Sequence, residues 1–214
     1  MRKASADPRL RIGVSGANAA RAEAIAAHFC EEGATAIISV GVSGGLDPAL
    51  APGDLVIGQS VVTAAGETFS CDTALMGTLP NRRGQPITPS IIYGANEVIL
   101  EANDKKDIFA KTGATSVDME SHGAARAAQG GGAAFLAIRA IADPADRTLP
   151  SAALNAVNKD GSTKVFSTLV NAARDPGQFP ALLQLGQDSS NALSTLSGNL
   201  GGLLGALFLR GDLV

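Results

Sequence analysis

The sequence contains little cysteine, little charge and no excess of basic residues. Its two cysteines, Cys30 and Cys71, form no C-x-x-C pair, so we expect neither a disulfide framework nor a zinc site. Charged residues make up only 17% of the 214 residues and the formal net charge is −3. This balance argues against a nucleic-acid scaffold, which would carry a basic excess. His28 and His122 lack a ligand-like spacing, so we predict no metal ion and no cofactor.

The N-terminus lacks a long apolar segment. Residues 1–11 carry charges but no apolar run, so we predict no signal peptide and expect a cytoplasmic protein. The basic pairs Arg82-Arg83 and Lys105-Lys106 are interpreted as solvated loop charges. A hydrophobic fraction of 45% over this length is enough for one α/β domain, residues 1–214, with a sizeable core.

Short apolar runs alternate with segments of helical composition, which predicts an α/β fold with three layers, α/β/α, around a central mixed sheet. The predicted strands are residues 10–15, 36–42, 54–62, 90–93 and 133–141, and the predicted helices are residues 17–29, 119–128, 162–173 and 180–185.

The C-terminal residues 180–210 form an apolar segment rich in glycine and serine. Ser194, Ser197 and Asn199 interrupt it, so it falls short of a clean membrane span. One interpretation is a helix packed closely on the sheet. The alternative is an apolar surface that meets a membrane or a lipid-like substrate.

The pattern with the most chemical information is Asp118-Met119-Glu120-Ser121, where a short apolar stretch meets a helix of small residues. Two carboxylates one residue apart at such a junction can bind the hydroxyls of a sugar. The simpler alternative is that Asp118 only caps the helix, with Glu120 in the first turn, where the helix dipole favours an acidic residue.

Two further segments accompany this pattern. Residues 39–47 contain the glycine run Gly41-Val42-Ser43-Gly44-Gly45, and residues 139–143 read Arg-Ala-Ile-Ala-Asp. Taken alone, the glycine run is also typical of a tight turn after a strand, and Asp143-Pro144 of a turn start. All three segments together, in this order, are much less expected by chance.

In this order the segments resemble the nucleoside phosphorylase and nucleosidase superfamily, which cleaves the N-glycosidic bonds of nucleosides. The resemblance covers roughly residues 10–143. The sequence S-V-D-M-E-S-H-G and the apolar C-terminus are most similar to the hopanoid-associated branch, which is linked to removal of adenine from adenosylhopane. The resemblance implies a phosphorylase-like fold, a small nucleoside substrate and a homo-oligomer, since relatives commonly pair subunits to complete the site.

The resemblance also implies roles for individual residues. Asp143 matches the aspartate that protonates the purine ring, which requires a pKa raised by burial. Met119 would pack on the ribose and Glu120 would accept its hydroxyl hydrogens. Asp118 receives no chemical role.

The nucleophile decides the subclass. Arg21 is similar to the phosphate-binding arginine of the bacterial phosphorylases, which would make inorganic phosphate the co-substrate. The backbone N–H groups of a turn at residues 41–44 would suit an anion. Those phosphorylases carry a hydroxyl where this chain has Val42, so modest affinity is expected. The residues assigned to this phosphate site are Gly16, Arg21, Gly41, Val42, Ser43 and Gly44.

Two alternatives stay open. In a hydrolytic nucleosidase of the methylthioadenosine type, Glu23 would be the base that activates water. A protein of another class would bind a nucleoside without turnover. The purine-recognition loop is placed at residues 93–100, and the sequence does not identify the base.

Overall fold

A mixed six-stranded sheet lies at the centre of the computed structural model, which describes residues 9–76, 88–150 and 179–208. Its strands are β1 Ala36–Gly45, β2 Leu55–Thr63, β3 Thr68–Ser70, β4 Thr88–Gly94, β5 Ser116–Asp118 and β6 Ala134–Asp143. The helices of the described residues are α1 Ala19–Glu31, α2 Thr73–Met76, α3 Ala102–Thr112, α4 Ser121–Gly131 and α5 Phe179–Phe208.

The strand order is β3-β2-β4-β5-β1-β6, and an additional pairing joins β6 back to β2. β6 runs parallel to β1 and antiparallel to the start of β2, where Leu55 lies opposite Ala140. The sheet therefore curls until its far strand meets an inner one. The predicted α/β class with a central mixed sheet is confirmed, and this curling is a detail that the alternation of strands and helices could not indicate.

Strand β6 forms the centre of the core. Nine of its ten residues are buried, which agrees with its nearly continuous apolar sequence, since a strand covered on both faces shows no polar alternation. Arg139 and the last residue, Asp143, are the exceptions in composition, and Arg139 is as deeply buried as its apolar neighbours. A buried arginine in such a strand requires partners for all its donors.

Helices α1 and α4 pack against each other through small residues. Ala22 and Ala26 of α1 and Ala124 of α4 belong to the same buried cluster. A Cβ at Gly123 would lie 2.2 Å from the carbonyl oxygen of Ala19, so glycine is required at this position. This close contact places the N-terminus of α1 beside the start of α4.

Helix α5 packs on the sheet through Ala192 and Leu196, which are buried in the main core, while Leu183 and Leu193 are exposed. The helix predicted within residues 180–210 is present, and it packs on the protein as the first interpretation expected. Among the described residues, no helix combines the length and apolar character that crossing a membrane requires.

The predicted strand at residues 10–15 is wrong. This segment joins no ladder, and Ile12 and Val14 are 62% and 68% exposed. Gly13 instead lies against α1, where a Cβ would stand 2.4 Å from Cγ2 of Ile25. The alternating apolar pattern satisfies strand propensity, but a strand forms only where its backbone finds a hydrogen-bonded neighbour.

The predicted turn at residues 41–44 is also wrong in conformation. These residues continue β1 in register with β6, and only a bulge between Ser43 and Gly44 interrupts the pairing. Glycine suits this part of the strand because the side chains of Asp143 and Val117 approach the backbone of Gly44 closely. The predicted helix at residues 162–173 and the Arg82-Arg83 pair lie outside the described residues, and α3 was not predicted.

Candidate active site

Asp118 ends β5 and holds the start of α4. Its Oδ1 accepts the backbone N–H groups of Glu120, at 3.2 Å, and Ser121, at 3.0 Å. Its Oδ2 accepts the Ser121 hydroxyl and Nε of Arg139, the latter at 2.5 Å. The carboxylate is therefore filled by capping bonds and an ion pair, as the simpler alternative predicted for Asp118.

Arg139 uses every guanidinium donor. Nε donates to Asp118, Nη1 donates to the carbonyl oxygens of Ser39 and Ile138 at 2.8 Å each, and Nη2 donates to the hydroxyls of Ser39 and Ser121. A Cβ at Gly41 would stand 3.8 Å from Cζ of this arginine. Five satisfied donors explain how a charge can lie in β6, and a Cβ at Gly41 would only reach ordinary van der Waals contact with the guanidinium.

Glu120 follows at the N-cap of α4, half-buried. In the described part of the chain, the only hydrogen-bond donor to its carboxylate is the backbone N–H of Met119, at 3.3 Å. Burial and the neighbouring Asp118 raise the pKa of Glu120, and Arg139 acts in the opposite direction. Unlike Asp118, this carboxylate keeps acceptor capacity for a ligand.

Asp143 ends β6 and contacts a buried lysine. Nζ of Lys105, on α3, lies 2.5 Å from Oδ2 of Asp143, and the two side chains are 1% and 9% exposed. Burial raises the pKa of Asp143, while Lys105 and then Arg147 oppose that rise. A carboxyl group that is buried and retains a raised pKa has the property that the sequence resemblance required of it.

Gly44 explains how the Asp143 carboxyl fits. A Cβ at this position would lie 3.2 Å from Oδ2 and 3.4 Å from Oδ1 of Asp143, and 3.2 Å from Cγ1 of Val117. The glycine run thus serves close packing of side chains against β1 rather than the geometry of a turn.

Strand pairing brings these groups to one region of the sheet. Gly94 of β4 pairs with Asp118, and Gly44 pairs with both Val117 of β5 and Asp143 of β6. The ends of four strands therefore meet where Asp118 and Asp143 stand. Active sites of α/β proteins commonly lie at strand ends of this kind.

A cavity of about 520 Å³ opens beside the start of α4. This volume is in the range of small-molecule sites. It contains none of the residues assigned above to catalysis, ribose or phosphate, but it does contain Glu23 and most of the predicted purine loop. Its lining residues are Ala19, Ala20, Glu23, Thr63, Ala64, Ala65, Glu67, Tyr93, Gly94, Ala95, Asn96, Glu97, Ile99, His122 and Arg126.

Three of the residues that line the cavity, Glu23, Glu67 and Arg126, form an ion-pair network. Arg126 donates from Nη1 to Glu23 at 2.9 Å and from Nη2 to Glu67 at 2.8 Å. His122 is buried, with Nε2 3.2 Å from Oδ1 of Asn96, and burial lowers its pKa. His122 therefore lies buried in the wall of the cavity, and Glu23 is already engaged by a cation.

The residues predicted to bind phosphate lie in two segments, one at the start of α1 and one in β1. Arg21 is half-buried in the first turn of α1, and its side chain has no hydrogen-bond or ion-pair partner among the residues that the structure describes. Gly16 precedes this helix with a φ of +50°, a conformation that favours glycine. Gly41 to Gly44 lie in β1. Their phosphate role stays a prediction.

No group of three or more metal-ligating side chains occurs within residues 9–76, 88–150 and 179–208. Burial raises the pKa of the Cys71 thiol to about 11, so it is not a nucleophile at neutral pH.

Sequence reasoning missed two residues of the site. Lys105 was interpreted as a solvated loop charge, but it is fully buried on α3. Arg139 was noted only as the first residue of the segment 139–143, without a role. Nothing in the Lys105-Lys106 pair distinguishes its members, because α3 was not predicted and its buried face was unknown. For Arg139, the signal was a charge within an otherwise apolar strand.

A family model described as Phosphorylase superfamily matches residues 10–173. No curated protein matches the sequence significantly.

Solved structures with similar folds share little sequence with the chain. The futalosine hydrolase of Helicobacter pylori superposes with a TM-score of 0.67 at 14% identity, covering 89% of this chain and 77% of that one. An S-adenosylhomocysteine nucleosidase of Streptococcus pyogenes gives 0.62 at 18% identity, covering 87% and 76%. A methylthioadenosine/S-adenosylhomocysteine nucleosidase of Colwellia psychrerythraea, in complex with adenine, gives 0.59 at 18%, covering 88% and 76%. At these identities the likeness shows the fold alone.

Proposed function

Because the chain belongs to the phosphorylase superfamily of nucleoside phosphorylases and nucleosidases, we propose that it cleaves the N-glycosidic bond of a purine nucleoside. One observation carries the proposal: the carboxyl groups of Glu120 and Asp143, near the ends of β5 and β6, each accept only one hydrogen bond from the described residues. They therefore keep free acceptor capacity for a ligand, unlike Asp118, which is fully hydrogen-bonded and paired with Arg139. The solved relatives named above are hydrolases, which supports the reaction class.

The proposed step needs one proton and one nucleophile. The bond from the anomeric carbon to the purine breaks with its electron pair moving to the base, and Asp143 gives its proton to the purine ring. The anomeric carbon becomes cation-like and then bonds to an oxygen of phosphate or water. Burial of Asp143 favours the protonated form needed to start, which suits a general acid.

Glu120 is proposed to accept hydrogen bonds from the ribose hydroxyls. Its charge also favours a ribosyl cation, as a carboxylate near developing positive charge does. Met119, one residue earlier, is proposed to pack on the sugar. The Arg139–Asp118 pair supports this arrangement by fixing the backbone N–H groups at the helix start.

For the acceptor we propose inorganic phosphate bound by Arg21. The support is an arginine without an ion-pair partner in the described residues, at the first turn of α1, where helix N–H groups favour an anion. Hydrolysis is the second candidate. It is supported by Glu23 at the cavity wall and by the hydrolytic solved relatives, although Arg126 already binds this carboxylate.

We propose two further features of substrate recognition. Loop residues from Tyr93 to Ile99 line the cavity and are proposed to contact the base. A lipid-linked adenosine such as adenosylhopane, in hopanoid biosynthesis, is proposed from the sequence resemblance together with the exposed Leu183 and Leu193 of α5. Higher kcat/KM for a 5′-alkylated adenosine than for adenosine would support it, and equal values would contradict it.

Adenine release measured by chromatography, with and without phosphate, tests the proposal. A phosphorylase gives ribose 1-phosphate only when phosphate is present, and Arg21→Ala should weaken that dependence. Equal rates in phosphate-free buffer, with free ribose as product, would identify a hydrolase and direct attention to Glu23→Gln. A nucleoside that binds but stays intact would indicate a binding protein without turnover.

A further inference from the structure

We propose that Lys105 is the positioning residue of the general acid: it fixes Asp143 and the backbone behind it for proton transfer to the leaving base. The inference deepens the proposed function and rests on it. Lys105 was expected in solvent, yet among the side chains of the described residues that are fully buried it is the largest after Arg139.

The geometry accounts for all three ammonium hydrogens. Nζ of Lys105 donates to Oδ2 of Asp143 at 2.5 Å, to the carbonyl oxygen of Arg147 at 3.0 Å and to that of Pro144 at 3.1 Å. An ammonium has three donors, so its position is fully determined. Two of its acceptors belong to the loop that follows Asp143, so the same lysine orients both the carboxyl group and its backbone.

The arrangement leaves one carboxyl oxygen for chemistry. Oδ1 of Asp143 has no hydrogen-bond donor among the residues that the structure describes, whereas Oδ2 is held by Lys105. A carboxyl group fixed through one oxygen presents the other in a defined direction. Fixed direction matters because a displacement of about 1 Å in a reacting group can cost about 100-fold in rate.

Charge gives Lys105 a second effect on the same step. When Asp143 gives up its proton it becomes a buried carboxylate, and a buried carboxylate without a partner is costly. The ammonium 2.5 Å away stabilises the charge that forms. The other charged groups that affect Asp143 are Arg147, in the following loop, and Asp188 of α5, and these two form an ion pair with each other.

A purely structural lysine would join α3 to the loop without changing the acid. The test therefore follows Asp143 itself, through the carboxyl carbon signal of ¹³C-labelled aspartate, assigned by its absence in Asp143→Asn. In Lys105→Met we expect the titration of Asp143 to move to higher pH, because an adjacent positive charge that favours the ionised form is lost. Lys106→Met, one residue away and exposed, is the matched control and should leave it unchanged.

Kinetics provide the second measurement. Base release requires protonated Asp143, so the rate falls as pH rises through its pKa. That alkaline limb should move to higher pH in Lys105→Met, while kcat at the optimum falls about 10- to 100-fold from lost positioning and KM changes little. Ethylammonium added to Lys105→Ala should restore part of kcat, and tetramethylammonium, which cannot donate hydrogen bonds, should not.

Each result has a distinct meaning. An unshifted Asp143 titration in Lys105→Met, with activity lost in Asp143→Asn, overturns this inference alone. Undiminished base release in Asp143→Asn overturns the proposed role of Asp143 and this inference with it. Should Lys105→Met not fold, wild-type protein decides: the ¹⁵Nζ signal of Lys105 should shift at the same pH as the Asp143 carbon, and independent titrations contradict the inference.

Discussion

Asp118 and Asp143 are two buried carboxyl groups at the ends of β5 and β6, the two strands that flank β1. Each is paired with one buried cation, and they differ in how many hydrogen bonds their oxygens accept. Asp118 accepts four: two backbone N–H groups, one hydroxyl and Nε of Arg139. Asp143 accepts one, from Lys105, among the described residues. The filled group has no acceptor left for a ligand, and the unfilled group has one free oxygen.

The difference separates structural from chemical function within one site. A carboxylate that receives four donors is suited to hold a helix start. A buried carboxyl group with one donor can exist protonated or ionised, as a general acid must during each cycle. Variants of the two groups should therefore affect different measurements.

Asp143→Asn should cause the largest effect. We expect purine release to fall by about two to four orders of magnitude, because the leaving base loses its proton donor. Circular dichroism should show an intact fold, since asparagine has nearly the same shape and its amide oxygen can still accept from Lys105, although the uncompensated ammonium lowers the free energy of unfolding. Turnover close to the wild-type rate would remove Asp143 from the mechanism.

Asp118→Asn should instead affect stability. Removing one partner of a buried pair leaves the Arg139 charge uncompensated, which costs about 3–5 kcal/mol in the free energy of unfolding. Urea denaturation measures this loss. Asp107→Asn is the control, because its pair with Lys111 spans 3.8 Å and is exposed, and it should change stability little. A stable Asp118→Asn protein would show that the comparison is wrong.

Glu120→Gln tests the third carboxyl group, which is unfilled like that of Asp143. We expect kcat/KM to fall about 10- to 100-fold, since hydrogen bonds to a charged group contribute about 1.5–3 kcal/mol. Glu31→Gln, exposed on α1, serves as control. If a ribose-bound structure shows no contact with Glu120, the proposed sugar site must be elsewhere.

Gly44→Ala should have the smallest effect of this series. The new methyl group would approach Oδ2 of Asp143 and Cγ1 of Val117 to 3.2 Å, so the acid must shift by a few tenths of an ångström. We expect a loss of several-fold in kcat, well below the cost of a 1 Å displacement. Gly130→Ala, with no neighbour within 4 Å, should leave kcat unchanged. An unchanged kcat in Gly44→Ala would mean that the acid tolerates displacement.

The sequence supported the strands that are long and apolar. Residues 36–42 and 133–141 were predicted as strands and lie in β1 and β6, because buried strands need continuous apolar runs. The segment at 10–15 carried a similar signal but has no ladder. Local pattern determines what a segment favours, whereas pairing depends on tertiary contacts that sequence does not contain.

The candidate site was predictable where chemistry follows from a motif, and not where it depends on packing. Glu120 and Asp143 were assigned roles through the resemblance of ordered motifs, and those roles stay predictions, whereas Asp118 was assigned no chemistry. Lys105 reaches Asp143 across 38 residues, and no periodicity indicates which of two adjacent lysines is buried. The roles of the glycines at 41 and 44 likewise depend on side chains from β6 that approach them in space.

The central claim is that Asp143 protonates the leaving base, and the leaving group tests it most directly. Wild type and Asp143→Asn should be compared on adenosine and on 4-nitrophenyl β-D-ribofuranoside, whose nitrophenolate departs without a proton. We expect Asp143→Asn to lose adenine release by about 100-fold or more but to keep most of its nitrophenolate release. An equal loss on both substrates would contradict leaving-group protonation by Asp143.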